Sequence, residues 1–261
     1  MSRWLTTVAL LLVLFSGCSQ KKEETNRLVV GMELAYPPFE MTDAKGAPSG
    51  VSVDLAREMG KHLGKEVVIE NTPFDGLIPS LKTGKIDLII SSMTATPERA
   101  QSVDFSEPYL TTGLALLVGA KSGVESITDL DQAGKTVVVK KGTTGHIYAT
   151  ENLKAAQIRV LDKENMAVLE VAQGKADAFI YDQMSVLKNW QEHKETTRPL
   201  LQAFKTEQWA IALRKGNDPL REQVNQFLKE FRSKGGFEEL GNVWLKEQKE
   251  EFQKRGIPFV F

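Results

Sequence analysis

Arg99 follows "SSMTATPE", a run of hydroxyl residues placed directly behind the apolar stretch "IDLII". Thr96 has the type and place of a helix N-cap, Pro97 of a first helical residue and Glu98 of a first-turn acid. An arginine at the next position faces the positive end of the helix dipole, a cost on the order of 0.3–1 kcal/mol unless an anion offsets it. A surface pair with Glu98 or Asp104 would account for Arg99 taken alone, but Ser91, Ser92 and Thr94 stand beside it. A guanidinium fork next to free backbone N–H groups makes a receptor for a carboxylate. A second polar cluster, "KKGTTG", brings Lys140, Thr143 and Thr144 after the apolar "TVVV". Its glycine lets the backbone approach a ligand. Glu33 and Tyr36 come after "LVVG", and Asp182 after "AFIY". Charges of both signs in such positions suit a zwitterion better than a phosphate or a hydrocarbon.

Other chemistries lack their residues. His62, His146 and His193 are far apart, with no H-x-x-x-H or H-x-x-E-H spacing, and the chain has one cysteine, so no metal is expected. "GKT" at 134–136 invites a phosphate-loop reading, but that motif needs glycine five residues earlier, where Asp129 stands. Neither G-x-G-x-x-G nor G-x-S-x-G occurs, and no cofactor is expected.

Each polar cluster follows an apolar run, and in open α/β sheets ligands bind beyond the carboxyl ends of the strands. Strand-like and helix-like segments alternate: "RLVVG", then "VSVDLAREMGKHLG" with Gly64 as a stop, "KEVVIEN", "GLIPSLKTG" and "KIDLII". The pattern predicts an α/β fold with mainly parallel sheet. "LEVAQGKADAFIYD" then repeats the design of "IPSLKTGKIDLIIS": a helix end, Gly-Lys, one residue, Asp, an apolar strand. Two lobes of similar topology are expected. "GLALLVGAKSG" and "EQWAIALRKGND" are read as two strands crossing between them, which places lobe I at 27–113 and 208–261 and lobe II at 114–207. A cleft between hinged lobes is a favoured ligand site.

The 261 residues carry a net charge of −1 and 26% charged side chains, a balance that gives no footing for nucleic acid. Residues 1–18, "MSRWLTTVALLLVLFSGC", combine Arg3, an apolar run from Trp4 to Phe15 and small residues before Cys18. The run is short for a bilayer span and reads as an export signal. "FSGC" resembles a bacterial lipobox, departing from it at Phe15, so Cys18 is the expected site of lipidation. A plain secretory signal is the alternative. Residues 19–26, "SQKKEETN", read as a flexible tether.

The ordered motifs "AYPPFE", "GVSVDLA", "FDGLIPSLKTGKIDLIISSMTATPER", "VDFSEPY", "LDQAGKTVVVKKGTTG", "GKADAFIYD" and "VWL" resemble the extracellular solute-binding proteins of family 3 from about Arg27 to Trp244. These are polar amino acid receptors of bacterial ABC transporters. The resemblance implies a two-lobed type II periplasmic-binding-protein fold, two mainly parallel sheets joined by two hinge strands around the cleft. It implies that Arg99 grips the ligand α-carboxylate, helped by backbone N–H groups of Thr94 and Thr144. Asp182 would hold the α-ammonium with the Thr94 hydroxyl and the Ser92 carbonyl. Tyr36 and Phe74 would flank the side chain, and Glu33 and Lys140 would reach its far end. The expected partners are an L-amino acid, a permease with its ATPase subunits, and the membrane through lipidated Cys18. The protein is expected to be a monomer, exported to the periplasm or cell surface.

A primary amide offers N–H₂ to Glu33 and C=O to Lys140, so glutamine is the first expectation for the ligand. A basic amino acid is the rival, because Lys140 could swing aside or be neutralised by Glu33. Exported dehydratases acting on cyclohexadienyl substrates share this fold, with a cleft carboxylate such as Glu33 as general acid. The complete set for gripping an α-amino acid favours a receptor over an enzyme. Two details depart from the expected pattern: Ser52, on what reads as an exposed helix turn, and "KEQKEEFQKRGIPFVF" beyond Leu245, read as a helix packing back on lobe I.

Overall fold

The computed structural model describes residues 26–258. The export signal with Cys18, residues 19–25 of the tether and residues 259–261 lie outside the described residues.

The first half of the chain gives β1 (Arg27–Met32), β2 (Ala35–Tyr36), β3 (Glu40–Thr42), β4 (Pro48–Ser49), α1 (Val51–Leu63), β5 (Glu66–Asn71), α2 (Leu77–Thr83) and β6 (Leu88–Ile89). A single turn, α3 (Pro97–Ala100), leads into the long β7 (Val103–Gly119). The second unit follows as β8 (Thr136–Lys140), α4 (Thr144–Asn152), β9 (Gln157–Leu161), α5 (Glu164–Ala172), β10 (Ala178–Asp182) and α6 (Gln183–Glu192). β11 (Thr197–Arg214) returns, and α7 (Asp218–Ser233), α8 (Gly236–Trp244) and α9 (Lys246–Lys254) complete the fold.

The two units share a topology. β1 lies between β5 and β6, all parallel, and β8 lies between β9 and β10, again parallel. The repeated G-K-x-D has a physical reason in each. Gly84 and Gly174 take left-handed φ values of 78° and 71° after α2 and α5. Asp87 then clamps β1: its N–H donates to Val29 O at 2.8 Å and its Oδ2 accepts from Val29 N at 3.0 Å. Asp177 clamps Thr136 of β8 in the same way, both bonds at 2.8 Å.

The two expected crossing strands are longer than the apolar segments that announced them. β7 and β11 pair antiparallel from Val103↔Arg214 to Gly119↔Thr197, with register shifts between Leu200 and Lys205 and around Ala210. β11 also pairs with β6, and β7 with β10, so the two parallel sheets are halves of one ladder of order β5-β1-β6-β11-β7-β10-β8-β9. The hinge is a paired ribbon. Apolar side chains pack both faces of the second half, as expected of strands covered by helices on either side.

A small antiparallel sheet, β2-β3-β4, was not foreseen. It turns the chain sharply into α1 at Gly50, where φ is 117° and a Cβ would lie 2.4 Å from Phe39 O, so only glycine fits. Ser52 corrects an expectation: it is fully buried, because its hydroxyl donates to Glu40 Oε2 at 2.6 Å. The C-terminal segment forms a helix, as read, but its packing is broader than expected. Phe252 of α9 enters the main core, α9 contacts α6 as well as α8, and the Arg255 guanidinium lies 4.7 Å over the Trp190 ring of α6.

Candidate functional site

The carboxyl ends of β1, β6, β8 and β10 converge on a narrow cavity of about 30 Å³ between the halves. Glu33 and Tyr36 reach it from beyond β1; Ser91, Ser92 and Thr94 from beyond β6. Arg99 on α3 and Phe74 complete that side. Thr143, Thr144 and Asp182 face them from the second half. Lys140 is 2% exposed, and its Nζ donates to Glu33 Oε2 beside the Phe74 ring, Glu33 and Phe74 both being residues of the cavity wall.

Arg99 sits on a helix of one turn, so local bonds rather than a helix dipole hold it. Thr96 caps α3, its hydroxyl oxygen accepting from Arg99 N at 3.2 Å. The guanidinium is 8% exposed and donates from Nη1 to Thr94 O at 2.7 Å and from Nη2 to Gly142 O, across the cleft, at 3.0 Å. Burial lowers its pKa to about 10, opposed by the nearby Glu207 carboxylate. It is charged at any physiological pH.

Asp182 ends β10 and caps α6. Its Oδ1 accepts from Met184 N at 2.9 Å, Ser185 N at 3.1 Å and the Tyr36 hydroxyl at 2.6 Å, the last again across the cleft. Burial pushes its pKa up to about 7 against the pull of the Tyr36 and Ser185 bonds. Thr143 caps α4, accepting from His146 N at 3.3 Å. Gly145 lets α4 approach β10: a Cβ there would lie 2.6 Å from Ile180 O. Phe74 lies under both cations, 5.4 Å from Arg99 Cζ and 5.5 Å from Lys140 Nζ. Tyr36 stacks on Phe39, which is a core aromatic.

Sequence reading missed Glu40, Leu114, Gly145, Tyr181, Glu207 and Trp209, all in the cavity wall. Glu40 is buried and accepts from the hydroxyls of Ser52, Ser91 and Ser92, and burial raises its pKa to about 8. Those bonds also hold Ser92 at a φ of 48°, a left-handed conformation rare outside glycine. Glu207 accepts from the Thr94 hydroxyl at 3.1 Å. A signal existed in "EQWAIALRKGND": an acid and a tryptophan two residues apart share one face of a strand that is otherwise apolar.

The cleft is bridged by Glu33–Lys140, Tyr36–Asp182, Arg99–Gly142 and, at the rim, Lys141–Asp75 at 2.8 Å. The Glu33–Lys140 pair is largely enclosed, and in such pairs desolvation offsets most of the Coulomb attraction. Separating both partners into water therefore costs little, whereas deleting one leaves a buried charge.

The family model of the bacterial extracellular solute-binding proteins, family 3, matches residues 28–247. The chain belongs to this family. The L-cystine-binding protein TcyJ of Escherichia coli strain K12 is 31% identical over 231 residues, 88% of this chain and 86% of the relative. A binding component of an ABC transporter from Wolinella succinogenes, solved in complex with lysine, aligns at TM-score 0.80 and 39% identity over 86% of this chain and 97% of its own. The ancestral amino acid-binding protein AncCDT-1, a precursor of cyclohexadienyl dehydratase, aligns at TM-score 0.78 and 36% identity over 85% of this chain and 96% of its own. The fold is thus that of the type II periplasmic binding proteins, and the relatives of this family 3 chain are amino acid-binding proteins of ABC transporters. Among the described residues no helix is long and apolar enough to cross a membrane.

Proposed function

We propose that the protein is the receptor of an ABC importer for a basic L-amino acid, lysine or arginine, captured by closure of the two lobes and handed to the permease. The observation that carries this reading is the charge of the cavity wall. Asp182 and Glu207 set two carboxylates in it against one cation, Arg99, while Glu33 and Lys140 offset each other and Glu40, whose pKa burial raises to about 8, is a neutral acid at pH 7. Arg99 would take the α-carboxylate, Asp182 the α-ammonium, and Tyr36 and Phe74 would flank a side chain whose cation meets Glu33 at the far end. The lysine complex of the Wolinella neighbour supports the choice. Glutamine, the expectation from sequence, needs the Lys140 amine at the ligand's amide oxygen, and that amine is bonded to Glu33.

A thermal-shift screen of the twenty amino acids on refolded, ligand-stripped protein tests this, since a tight ligand raises apparent stability by mass action. Lysine or arginine is expected to give the largest shift. A large shift with glutamine and none with either base would return the site to the amide. Arg99→Ala is expected to abolish the shift while leaving the protein folded. The protein is read as a receptor and not an enzyme. Formation of an aromatic product from prephenate or arogenate would overturn that. Division into lobe I at 27–113 and 208–261 and lobe II at 114–207, a monomeric state and anchoring through lipidated Cys18 complete the proposal. Cys18→Ala should release the protein from the membrane fraction.

A further inference from the structure

Glu207 is the one cavity acid contributed by a hinge strand. It lies on β11 opposite Thr112 of β7, is 4% exposed, and faces the cavity. Its two oxygens differ. Oε2 accepts from the Thr94 hydroxyl, while Oε1 is enclosed and has no hydrogen-bond partner among the described residues. A buried carboxylate oxygen without a donor is costly, and such groups are rare in native structures unless a ligand or water completes them. Arg99 makes no hydrogen bond to it; its Nη1 donates to Thr94 O and its Nη2 to Gly142 O. The position of Oε1 also narrows the choice of donor. Glu207 is bonded to Thr94, and Thr94 is bonded to Arg99, so the orphan oxygen belongs to the part of the cavity where a ligand carboxylate would dock. In an α-amino acid a single carbon separates that carboxylate from the ammonium.

We propose that Glu207 is a specificity-determining residue, its Oε1 accepting an N–H of the ligand's α-ammonium alongside Asp182, so that two carboxylates hold the head group. The inference rests on the reading of the site as an α-amino acid receptor. Asp182 belongs to the second half and Glu207 to the hinge, so the ammonium is gripped from two elements that converge only where the halves meet. Burial pushes the pKa of Glu207 up, opposed by the Thr94 hydroxyl and the Arg99 charge. A compound that lacks the ammonium would leave both acids unpaired and would be rejected.

Calorimetric titration of the full chain decides, using whichever of L-lysine, L-arginine and L-glutamine binds the wild type most tightly. The comparison is with its deamino analogue: 6-aminohexanoate, 5-guanidinopentanoate or 4-carbamoylbutanoate. Glu207→Gln is expected to weaken the amino acid by roughly tenfold or more, the range of a hydrogen bond to a charged group, and to leave the analogue no weaker than in the wild type, because one acid that the analogue would leave unpaired is gone. Glu207→Asp, which keeps the charge, is expected to bind the amino acid more tightly than Glu207→Gln. Equal losses for amino acid and analogue, an unchanged amino acid affinity, or Asp and Gln variants that bind alike would overturn the assignment while the receptor reading stands. A wild type that binds none of the three amino acids would overturn both.

Discussion

Replacing Asp182 by asparagine separates its two tasks. As the cap of α6 it accepts from Met184 N and Ser185 N, and asparagine caps a helix about as well. As the partner of a ligand ammonium it must be ionised, which asparagine cannot be. Burial places its pKa at about 7, with the Tyr36 hydroxyl and Ser185 N–H lowering it and the Glu164 and Glu207 charges raising it. An ammonium selects the ionised form, so affinity follows the ionised fraction and binding expels a proton. At two pH units below that pKa about one carboxylate in a hundred is ionised, so the affinity at pH 5 should be roughly a hundredfold below that at pH 8, about 2.7 kcal/mol. Above pH 8 the curve should flatten. The charge-assisted bond itself is worth about 1.5–3 kcal/mol, so Asp182→Asn should lose roughly 10- to 150-fold at pH 8 and lose the slope below pH 7. Calorimetry at pH 5, 6, 7 and 8, in buffers of differing ionisation enthalpy, reads both affinity and proton release. A wild-type affinity constant across that range, or an asparagine variant with the same affinity and slope, would refute the assignment.

Three further outcomes are expected. Glu40 has a folded-state pKa of about 8, raised by burial, so between about pH 5 and pH 8 the folded protein holds a proton that the unfolded chain has released. Stability of the ligand-free protein should therefore fall as pH rises through that window, and Glu40→Gln should flatten the fall in urea denaturation midpoints; an unchanged slope would count against it. Gly145→Ala should push α4 away from Ile180 O, costing about 1–3 kcal/mol of stability and weakening ligand binding; a variant that melts and binds like the wild type would contradict the close approach. Phe252→Ala should cost about 3–5 kcal/mol, measured by chemical denaturation, because its ring is buried in the main core. A loss under about 1 kcal/mol would mean that α9 is not part of that core.

The residues legible in the sequence were those whose reason is local. Gly64, Gly84 and Gly174 end helices in left-handed conformations, and their spacing from the next apolar run needs no tertiary knowledge. Asp182 could be singled out because it ends an apolar run, and Arg99 because it sits in the first turn of a helix beside a cluster of hydroxyls. What escaped depends on contacts between distant segments. Ser52 looks like a solvent-facing helix residue until Glu40, twelve positions earlier, is placed against it. Glu207 lies in a segment chosen only as a crossing strand, and its bond to Thr94 spans 113 positions. Lys140 shows the limit most plainly. Its type and place suit a ligand contact, but its pairing with Glu33, 107 positions away, could not be read from either segment alone. Hinge length was similarly hidden, because β7 opens with "VDFSEPY", where pairing with β11 rather than apolar content makes the strand.

That ribbon of β7 and β11 also dictates the order in which the molecule can be assembled. β6 finds its second neighbour only in Leu213 and Ala212 of β11, and the core around β1 and α1 is closed by Val224, Phe227, Phe237 and Leu245. The strands and helices of the second unit, from β8 to α6, are all synthesised before any of these residues. A chain emerging from its N-terminus therefore carries β6 with a bare edge until β11 is made, and a bare edge invites pairing with other chains. The strands made first wait for a strand made late to complete their sheet.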